Sequence, residues 1–437
     1  MNNAVLSSPA TLPMDMEKRL YRKITWRLIP FLMFCYVAAY IDRVNVGFAK
    51  LQMLDELGFS ETVYGLGAGI FFIGYFLLEV PSNLVLRKVG ARVWIARIML
   101  TWGLISAAFV WVTTPTQYYV LRFLLGAAEA GFYPGVIYYL MSWYPPKRRS
   151  QIIALFMVAI PVAGILGGPI SGWIISAFHQ THGYSGWQWM FFLEALPSIV
   201  LGVATLFVLD SSPEKAKWLT TAEKAHIAKD LEVPSNLHGH VLSSVAHIFK
   251  DPRMLLLSLI YFCVIMGQYG LTFWMPTLIK ASGVTGVLNI GLLSAVPYMV
   301  AIIAMLSFGR SSDRTGERRW HVIIPMLMGA VGYLIVAMAG NHVPMALIGL
   351  SLAAAGVITP GPLFWALPSA FLVGSAAAAG VAAINAFAGL AGFVSPYFIG
   401  WLRDLTQSST IAMYISAAVL VVGALLVLMI PAKLVNR

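Results

Sequence analysis

The chain has little charge for its length. Only 11% of its 437 residues are Asp, Glu, Lys or Arg, whereas 59% are apolar. A soluble globular domain carries about 25% charged residues and under about 50% apolar ones, so this composition excludes the soluble classes. At about 22 residues per transmembrane helix, the apolar residues suffice for roughly twelve spans.

Cysteine and recognisable cofactor motifs are scarce as well. Cys35 and Cys263 both lie in long apolar runs and cannot form a disulfide framework. No glycine-rich phosphate loop ending in Lys-Ser or Lys-Thr occurs, so ATP is not indicated as an energy source. His238, His240 and His247 have no Cys or acidic residues at ligand spacing. We therefore predict no cofactor and no metal.

Long apolar runs divide the chain into helices. Alternation of apolar and polar residues, the signature of a membrane β-barrel, is absent. The sequence thus predicts an all-α polytopic membrane protein with twelve transmembrane helices. The predicted spans lie near residues 24–48, 62–86, 94–113, 116–142, 151–178, 188–209, 253–279, 289–309, 321–340, 344–371, 377–402 and 410–431.

The basic residues predict the orientation. Most of the 29 Lys and Arg residues fall in the tails, the central loop and the even-numbered loops, whereas the odd-numbered loops hold Lys50, Lys280 and Arg403. Cytoplasmic loops of membrane proteins carry the excess of Lys and Arg. We expect a bacterial cytoplasmic membrane with both termini in the cytoplasm, and the net charge of +11 then reflects topology rather than nucleic acid or another acidic partner.

The chain contains an internal repeat at a shift of about 226 to 228 residues. Phe34-Cys35 returns as Phe262-Cys263, and Gly172-Trp173 returns as Gly400-Trp401. Parallel repeats of this kind occur in transporters that rock two halves about a central site. We predict two pseudo-symmetric six-helix halves at 24–209 and 253–431, a cytoplasmic linker at 210–252 with a short surface helix near 214–232, and cytoplasmic tails at 1–23 and 432–437.

One loop carries a family signature. Residues 309–319 read G-R-S-S-D-R-T-G-E-R-R and resemble the cytoplasmic loop motif of the major facilitator superfamily, G-x-x-x-D-R-x-G-x-R-R. The first copy, at 81–92, keeps Gly90 and Arg92 but has Val85 where the motif has an acid. The resemblance implies the major facilitator fold.

Three further segments resemble one family within that superfamily, the anion:cation symporters. They are Y-I-D-R-V-N-V-G-F-A at 40–49, G-Y-F with E-V-P-S-N at 74–83, and R-F-L-L-G-A-A-E-A-G at 122–131. Phe364 to Pro368 and Asn385 are most similar to bacterial tartrate-type permeases. The family includes permeases for tartrate, sugar acids and aromatic acids.

Charged residues inside spans are costly and indicate functional sites. Arg122 and Glu129 are seven residues apart, so they share a helix face about 10 Å from each other. Asp42 and Arg43 are adjacent and point about 100° apart. Seven such residues occur, namely Asp42, Arg43, Glu79, Arg97, Arg122, Glu129 and Glu194.

Four of these charges fit the coupling of protons to an anion. A guanidinium stays charged and matches a carboxylate, so Arg43 and Arg122 are predicted to bind the anion. Burial favours the neutral form of a carboxyl group, whereas a nearby arginine favours the ionised form. Asp42 and Glu129 are therefore predicted to take up and release protons. The family resemblance implies the same roles. The alternative is that these residues form structural ion pairs between spans 1 and 4. For the other three we expect structural roles, with Arg97 reaching the interface or pairing with Glu79 and with Glu194 bonding a neighbouring helix end.

The second half lacks equivalent charges and offers neutral or aromatic groups instead. These would recognise hydroxyls, ring faces and shape, although interhelical packing is the alternative for each aromatic residue. The predicted substrate contacts of this half are Trp365, Asn385, Gln268 and Tyr269, and the first half adds Tyr75 and Tyr40. The resemblance implies Tyr75, Trp365 and Asn385 in particular.

The sequence therefore predicts a monomeric, lipid-embedded transporter that imports a small organic carboxylate with protons by alternating access. The candidate substrates are a tartrate-like dicarboxylate, an aromatic acid or a sugar acid, and the scarcity of polar groups in spans 5 and 11 disfavours the sugar acid. An exchanger or uniporter of the same fold remains the alternative. An enzyme or a channel is disfavoured because the spans show no nucleophile with a base and no rings of like residues.

Overall fold

A computed structural model describes residues 14–231, 251–368 and 375–436. Within these ranges all regular elements are helices, and twelve helical segments are long and apolar enough to cross a membrane. The predicted all-α architecture with twelve spans is confirmed. Spans 1 to 12 are Asp15–Leu57, Glu61–Val89, Ala91–Trp111, Pro115–Met141, Pro146–Ala177, Gly186–Val208, Pro252–Ala281, Val287–Thr315, Trp320–Met338, Val343–Phe364, Ala383–Thr406 and Thr410–Leu428.

Span 1 is longer than its apolar run. Its helices, Met14–Val44 and Val46–Leu57, meet at Asn45 and continue beyond both ends of the predicted 24–48 segment. A helix satisfies its own backbone hydrogen bonds, so it can continue past the apolar run into the polar interface and include polar residues at its ends. It ends at Gly58, which has a φ of 65°, a conformation that glycine adopts at low cost.

Span 4 is interrupted next to a predicted site residue. The helix Pro115–Glu129 ends at Glu129, and Phe132–Met141 follows after Gly131, whose φ is 88°. A Cβ atom on Gly131 would lie 2.3 Å from the Ser82 Oγ atom. Both the conformation and the close approach therefore require glycine here.

The central linker contains the expected surface helix, at Thr221–Leu231. The helix docks on the start of span 1, where the Tyr21 hydroxyl donates to the Asp230 carboxylate at 2.8 Å and Lys23 pairs with Glu223 at 3.0 Å. The predicted linker runs to residue 252, but residues 232–250, including the three linker histidines, lie outside the described residues.

The two halves meet closely at one end of the bundle. An even number of spans places the two ends of the described chain at the same end, which we call the terminal end; the other is the far end. Span 2 packs on span 11 where a Cβ atom on Gly65 would lie 2.3 Å from the Pro396 carbonyl oxygen. Span 5 packs on span 8 where Gly168 faces the Gly291 carbonyl. These contacts lie toward the far end, and small residues allow such close backbone approach.

Candidate functional site

An ion pair joins span 1 to span 4 inside the first half. The Arg43 Nη2 atom donates to the Glu129 carboxylate, and both side chains are buried. A buried charge-assisted pair of this kind is stable only while both partners stay charged. Arg43 and Glu129 were both predicted to belong to the site, and the structure brings them together.

Arg122, two turns before Glu129, is the least satisfied charge in this region. Its Nε atom donates to the Gly67 carbonyl at 3.2 Å, but its Nη1 and Nη2 atoms have no hydrogen-bond partner among the described residues. The side chain is fully buried, at 0% exposure. Because an unpaired buried cation costs several kcal/mol, this guanidinium provides strong donors for an anion.

Phe71 links the two arginines. The centre of its ring lies 5.4 Å from the Arg43 guanidinium carbon and 5.1 Å from that of Arg122. Tyr75 and Tyr40 complete the surroundings of Arg43 at 5.6 Å and 5.8 Å. Aromatic faces stabilise a cation without neutralising it, so these contacts leave the terminal nitrogens of Arg122 able to bind an anion. We call Arg43, Phe71, Tyr75, Arg122 and Glu129 the arginine cluster.

Asp42 faces a different direction from Arg43. Its carboxylate accepts hydrogen bonds from neutral donors on spans 3 and 6 and is 2% exposed. These donors are Trp102 Nε1 at 3.0 Å, Ser106 Oγ at 3.3 Å and Ser198 Oγ at 2.5 Å. The two adjacent residues thus point to separate environments, as helix geometry requires. No cation pairs with Asp42 in the described part of the chain.

The predicted contacts from the second half fall in two places. Tyr269 on span 7 faces Arg43 and packs on Phe72 with ring centres 4.4 Å apart. Trp365 on span 10 packs instead on Tyr261, at 5.1 Å.

Within the described ranges of the chain, two polar residues predicted from the second half have no hydrogen-bond or ion-pair partner. Gln268 is half-buried and Asn385 is exposed on span 11. Among the described residues, no recorded contact joins Trp365, Gln268 or Asn385 to the arginine cluster. Their assignment as substrate contacts remains a prediction.

The other charged residues inside spans are engaged separately. Glu194 accepts from Ser171 Oγ at 2.7 Å and from Asn45 Nδ2 at 2.9 Å, all within the first half. The Arg97 guanidinium lies 3.8 Å from the centre of the Trp94 ring. The ion pairs of the described residues do not include one between Arg97 and Glu79.

Lys50 departs from the expectation for a loop residue. It lies on the second helix of span 1 and is only 4% exposed. Its ammonium group pairs with the Glu61 carboxylate at 2.5 Å and donates to the Thr277 hydroxyl of span 7 at 3.0 Å. Placing Lys50 in a loop was wrong, because the helix continues past the apolar run and turns this residue inward.

Lys50 is part of a charged layer that joins the two halves at the far end. Arg403 of span 11 pairs with the same Glu61 carboxylate at 3.1 Å. Asp404 accepts from the backbone N–H groups of Glu61 and Thr62 at 3.0 Å and 2.7 Å, which caps span 2. We call Lys50, Glu61, Arg403 and Asp404 the closing cluster.

Phe71 and the closing cluster were not predicted from the sequence. Phe71 looks like an ordinary apolar residue in an apolar run, and nothing in its local pattern distinguishes it. The closing cluster carried a usable signal, since Lys50 and Arg403 are rare basic residues near the far ends of their apolar runs and Glu61 follows shortly after Lys50.

The fold and the buried charges define a polytopic helical bundle with ionised groups deep in its first half. A family model described as Major Facilitator Superfamily matches residues 32–396. The chain therefore belongs to the major facilitator superfamily, as its loop signature indicated.

Relatives in that family are transporters by name. A Pseudomonas putida protein named "Putative metabolite transport protein NicT" is 49% identical over 99% of this chain and 100% of its own length. An Agrobacterium vitis protein named "Putative tartrate transporter" is 48% identical over 95% of this chain and 92% of its own. These names agree with the resemblance to anion:cation symporters.

Solved structures share the fold at low sequence identity. A D-xylose-proton symporter superposes with a TM-score of 0.71 at 16% identity, over 93% of this chain and 98% of its own. A bacterial homologue of the human lysosomal transporter Spinster, in an inward-facing and occupied conformation, also gives 0.71 at 16% identity, over 94% and 96%. At this identity the likeness shows the fold alone.

Proposed function

We propose that this chain is a proton-coupled symporter that imports a small organic carboxylate by alternating access. The observation that carries the proposal is the fully buried Arg122 guanidinium, whose two terminal nitrogens have no partner among the described residues. A carboxylate matches this planar donor pair with two parallel hydrogen bonds. Relatives named as tartrate transporters support the same substrate class.

The Arg43–Glu129 pair gives a route for coupling. While Glu129 is ionised, it occupies the Arg43 donor group. A proton on Glu129 removes its charge and frees Arg43 to join Arg122 in holding the substrate anion. Release of the proton restores the ion pair and displaces the substrate carboxylate. Substrate and proton are therefore bound and released together.

Asp42 is proposed as a second proton site. Its three hydrogen bonds come from neutral donors, so its negative charge is not balanced by a cation. Loss of that charge on protonation removes a buried ionic group from the contact of span 1 with spans 3 and 6. Span 1 also carries Arg43, so the two events act on the same helix.

The closing cluster supplies one of the two gates. Positive-inside orientation puts the terminal end in the cytoplasm, and the far end then faces the outside. With Lys50, Glu61 and Arg403 joined across the two halves, this conformation is closed to the outside. Import requires these contacts to part so that the site faces outward.

Uptake into proteoliposomes tests the proposal. Purified protein is reconstituted, a pH gradient is imposed with the inside alkaline, and accumulation of labelled tartrate is measured. We expect accumulation above the outside concentration, abolished by a protonophore. Counterflow that persists without any accumulation under the gradient would contradict proton coupling and favour the exchanger.

A ligand panel defines the carboxylate. Thermal unfolding of the purified protein is followed with tartrate, galactonate, phthalate and 4-hydroxyphenylacetate. We expect a short dicarboxylate or an aromatic acid to raise the melting temperature most, since the surroundings of Arg122 are aromatic. Stabilisation by galactonate alone would contradict that substrate class.

A further inference from the structure

Glu194 is a buried carboxyl group that the proposed mechanism does not use. It lies on span 6, is 5% exposed, and accepts hydrogen bonds from Ser171 and Asn45, both neutral. An ionised carboxylate without a cation is costly at such a position. A neutral, protonated carboxyl group avoids that cost.

Asn45 supplies the second observation. Its side chain is 1% exposed, and its Oδ1 atom has no hydrogen-bond partner among the described residues although its Nδ2 atom donates to Glu194. A protonated Glu194 carries an O–H donor, and an amide offers a donor and an acceptor side by side. The acid and the amide then satisfy each other with two hydrogen bonds.

Both protonation states of Glu194 therefore have hydrogen-bond partners. When ionised, Glu194 accepts from Ser171 and from the Asn45 amide. When protonated, it keeps the amide donor and provides the orphaned Asn45 oxygen with a donor. A group that is satisfied in two states can take up and release a proton without unfolding its surroundings.

The position of this pair connects it to the proposed proton site. Glu194 and Ser198 are one turn apart on span 6, and they bond Asn45 and Asp42, which are one turn apart on span 1. The two contacts form neighbouring rungs between the same two helices. Asn45 also marks the junction of the two helices of span 1, so a change at this rung acts where span 1 is least regular.

Asp42, which bonds the next turn of span 6, is a charged neighbour of Glu194, and the other charged side chains described on spans 1 and 3 near span 6 have different contacts. On span 3, Arg92 donates to the Leu206 carbonyl and Arg97 lies over Trp94. On span 1, Arg43 pairs with Glu129 and Lys50 with Glu61.

The remaining acids of span 1 lie at its two ends, with Asp15 and Glu17 at the terminal end and Asp55 and Glu56 toward the far end. Glu56 accepts from Trp187, and Asp55 is exposed. Span 5 faces Glu194 with the neutral Ser171.

We propose that Glu194 is an additional proton-carrying residue of the transport cycle, paired with Asn45 and coupled to Asp42 through spans 1 and 6. The proposal rests on the proposed proton symport. It predicts that one more proton accompanies each substrate than Asp42 and Glu129 alone account for.

The test is the equilibrium accumulation ratio in proteoliposomes at a fixed pH gradient and zero membrane potential. For each coupled proton, a difference of one pH unit contributes about tenfold to that ratio. Glu194→Gln keeps the size and the hydrogen-bonding capacity but cannot carry the proton, so we expect its ratio to fall about tenfold. Glu194→Asp keeps the proton and should retain the parent ratio even if its rate falls.

The outcomes separate the alternatives. If Glu194→Gln reaches the parent ratio, Glu194 is a structural acid and the inference is overturned. If the parent chain itself shows no accumulation, the proposed symport fails rather than this inference alone. Ser171→Ala is the matched control, because it removes one hydrogen bond from Glu194 but leaves the carboxyl group, and its ratio should match the parent.

A second measurement covers a Glu194→Gln variant that does not reconstitute. Infrared difference spectra on a pH step are recorded for a chain carrying Glu79→Gln and Glu129→Gln, with isotope-labelled glutamate. We expect a protonated glutamate carbonyl band that shifts with the label, is lost at high pH, and disappears when Glu194→Asp is added, because the aspartate carries no label. Spectra in which Glu194→Asp removes no labelled band would overturn the inference.

Discussion

Two charged regions of the bundle are built in opposite ways. In the closing cluster, the cations Lys50 and Arg403 share the Glu61 carboxylate across the two halves. In the arginine cluster, and counting the described residues alone, Arg43 pairs with one carboxylate and Arg122 donates from its Nε atom to a backbone carbonyl. Paired charges hold a conformation, whereas an unpaired buried cation is available for a ligand. This contrast is the reason why we propose closure for the first region and substrate binding for the second.

The two six-helix halves also differ in where they carry buried charge. The charges that lie deep within spans belong to the first half, and at the repeat shift the second half has Gly270 and Leu271 where the first has Asp42 and Arg43. In the second half these positions pack closely, since a Cβ atom on Gly270 would lie 2.9 Å from the Ser395 Oγ atom. One copy of the repeat thus carries the buried charges, whereas the position that corresponds to Asp42 in the other copy packs within its own half.

The largest expected effect comes from Arg122→Ala. Loss of two charge-assisted hydrogen bonds of about 1.5 to 3 kcal/mol each should weaken substrate binding by about 100-fold or more. The dissociation constant in detergent, measured by calorimetry, checks this. Arg97→Ala is the control, because Arg97 also lies in a span but packs on Trp94 outside the cluster. Equal loss in both variants would contradict the special position of Arg122.

Gly400→Ala should impair closure at the far end. The added Cβ atom would lie 2.3 Å from the Glu61 carbonyl oxygen, so span 11 must move away from span 2. Overpacking of this kind costs about 1 to 3 kcal/mol, and we expect the turnover number to fall about tenfold. Gly389→Ala on the same span is the matched control, since nothing lies within 4 Å of its Cβ position, and it should transport as the parent does.

Glu61→Gln probes the pairing itself. The change leaves the buried Lys50 ammonium and the Arg403 guanidinium near each other without their carboxylate. We expect turnover to fall several-fold while the substrate dissociation constant stays within about twofold. Adding Lys50→Met should restore part of the loss, because it removes the uncompensated cation. A double variant as slow as the product of the single effects would show that the two residues do not interact.

Tyr75→Phe should have the smallest effect. Its ring lies 5.6 Å from the Arg43 guanidinium and is retained in the variant, so only the hydroxyl is lost. One neutral hydrogen bond contributes about 0.5 to 1.5 kcal/mol, and we expect KM to rise about threefold with little change in kcat. Unchanged KM for every transported carboxylate would remove Tyr75 from the substrate contacts.

Sequence patterns predicted the spans and the buried charges for clear physical reasons. Lipid excludes unpaired polar groups, so Asp42, Arg43, Arg122 and Glu129 stand out in apolar runs. The partner of each charge depends on tertiary packing, which periodicity does not encode. The pairing of Arg43 with Glu129, the neutral surroundings of Asp42 and the inward turn of Lys50 therefore emerged only with the structure.

The central claim is that carboxyl groups in the first half couple protons to the substrate anion. The most direct measurement compares pH-driven accumulation with counterflow for Asp42→Asn and Glu129→Gln, with Glu79→Gln as the control. We expect both variants to exchange substrate in counterflow but no longer to accumulate it as the parent does, whereas the control accumulates normally. Accumulation at the parent level in both variants would contradict the claim.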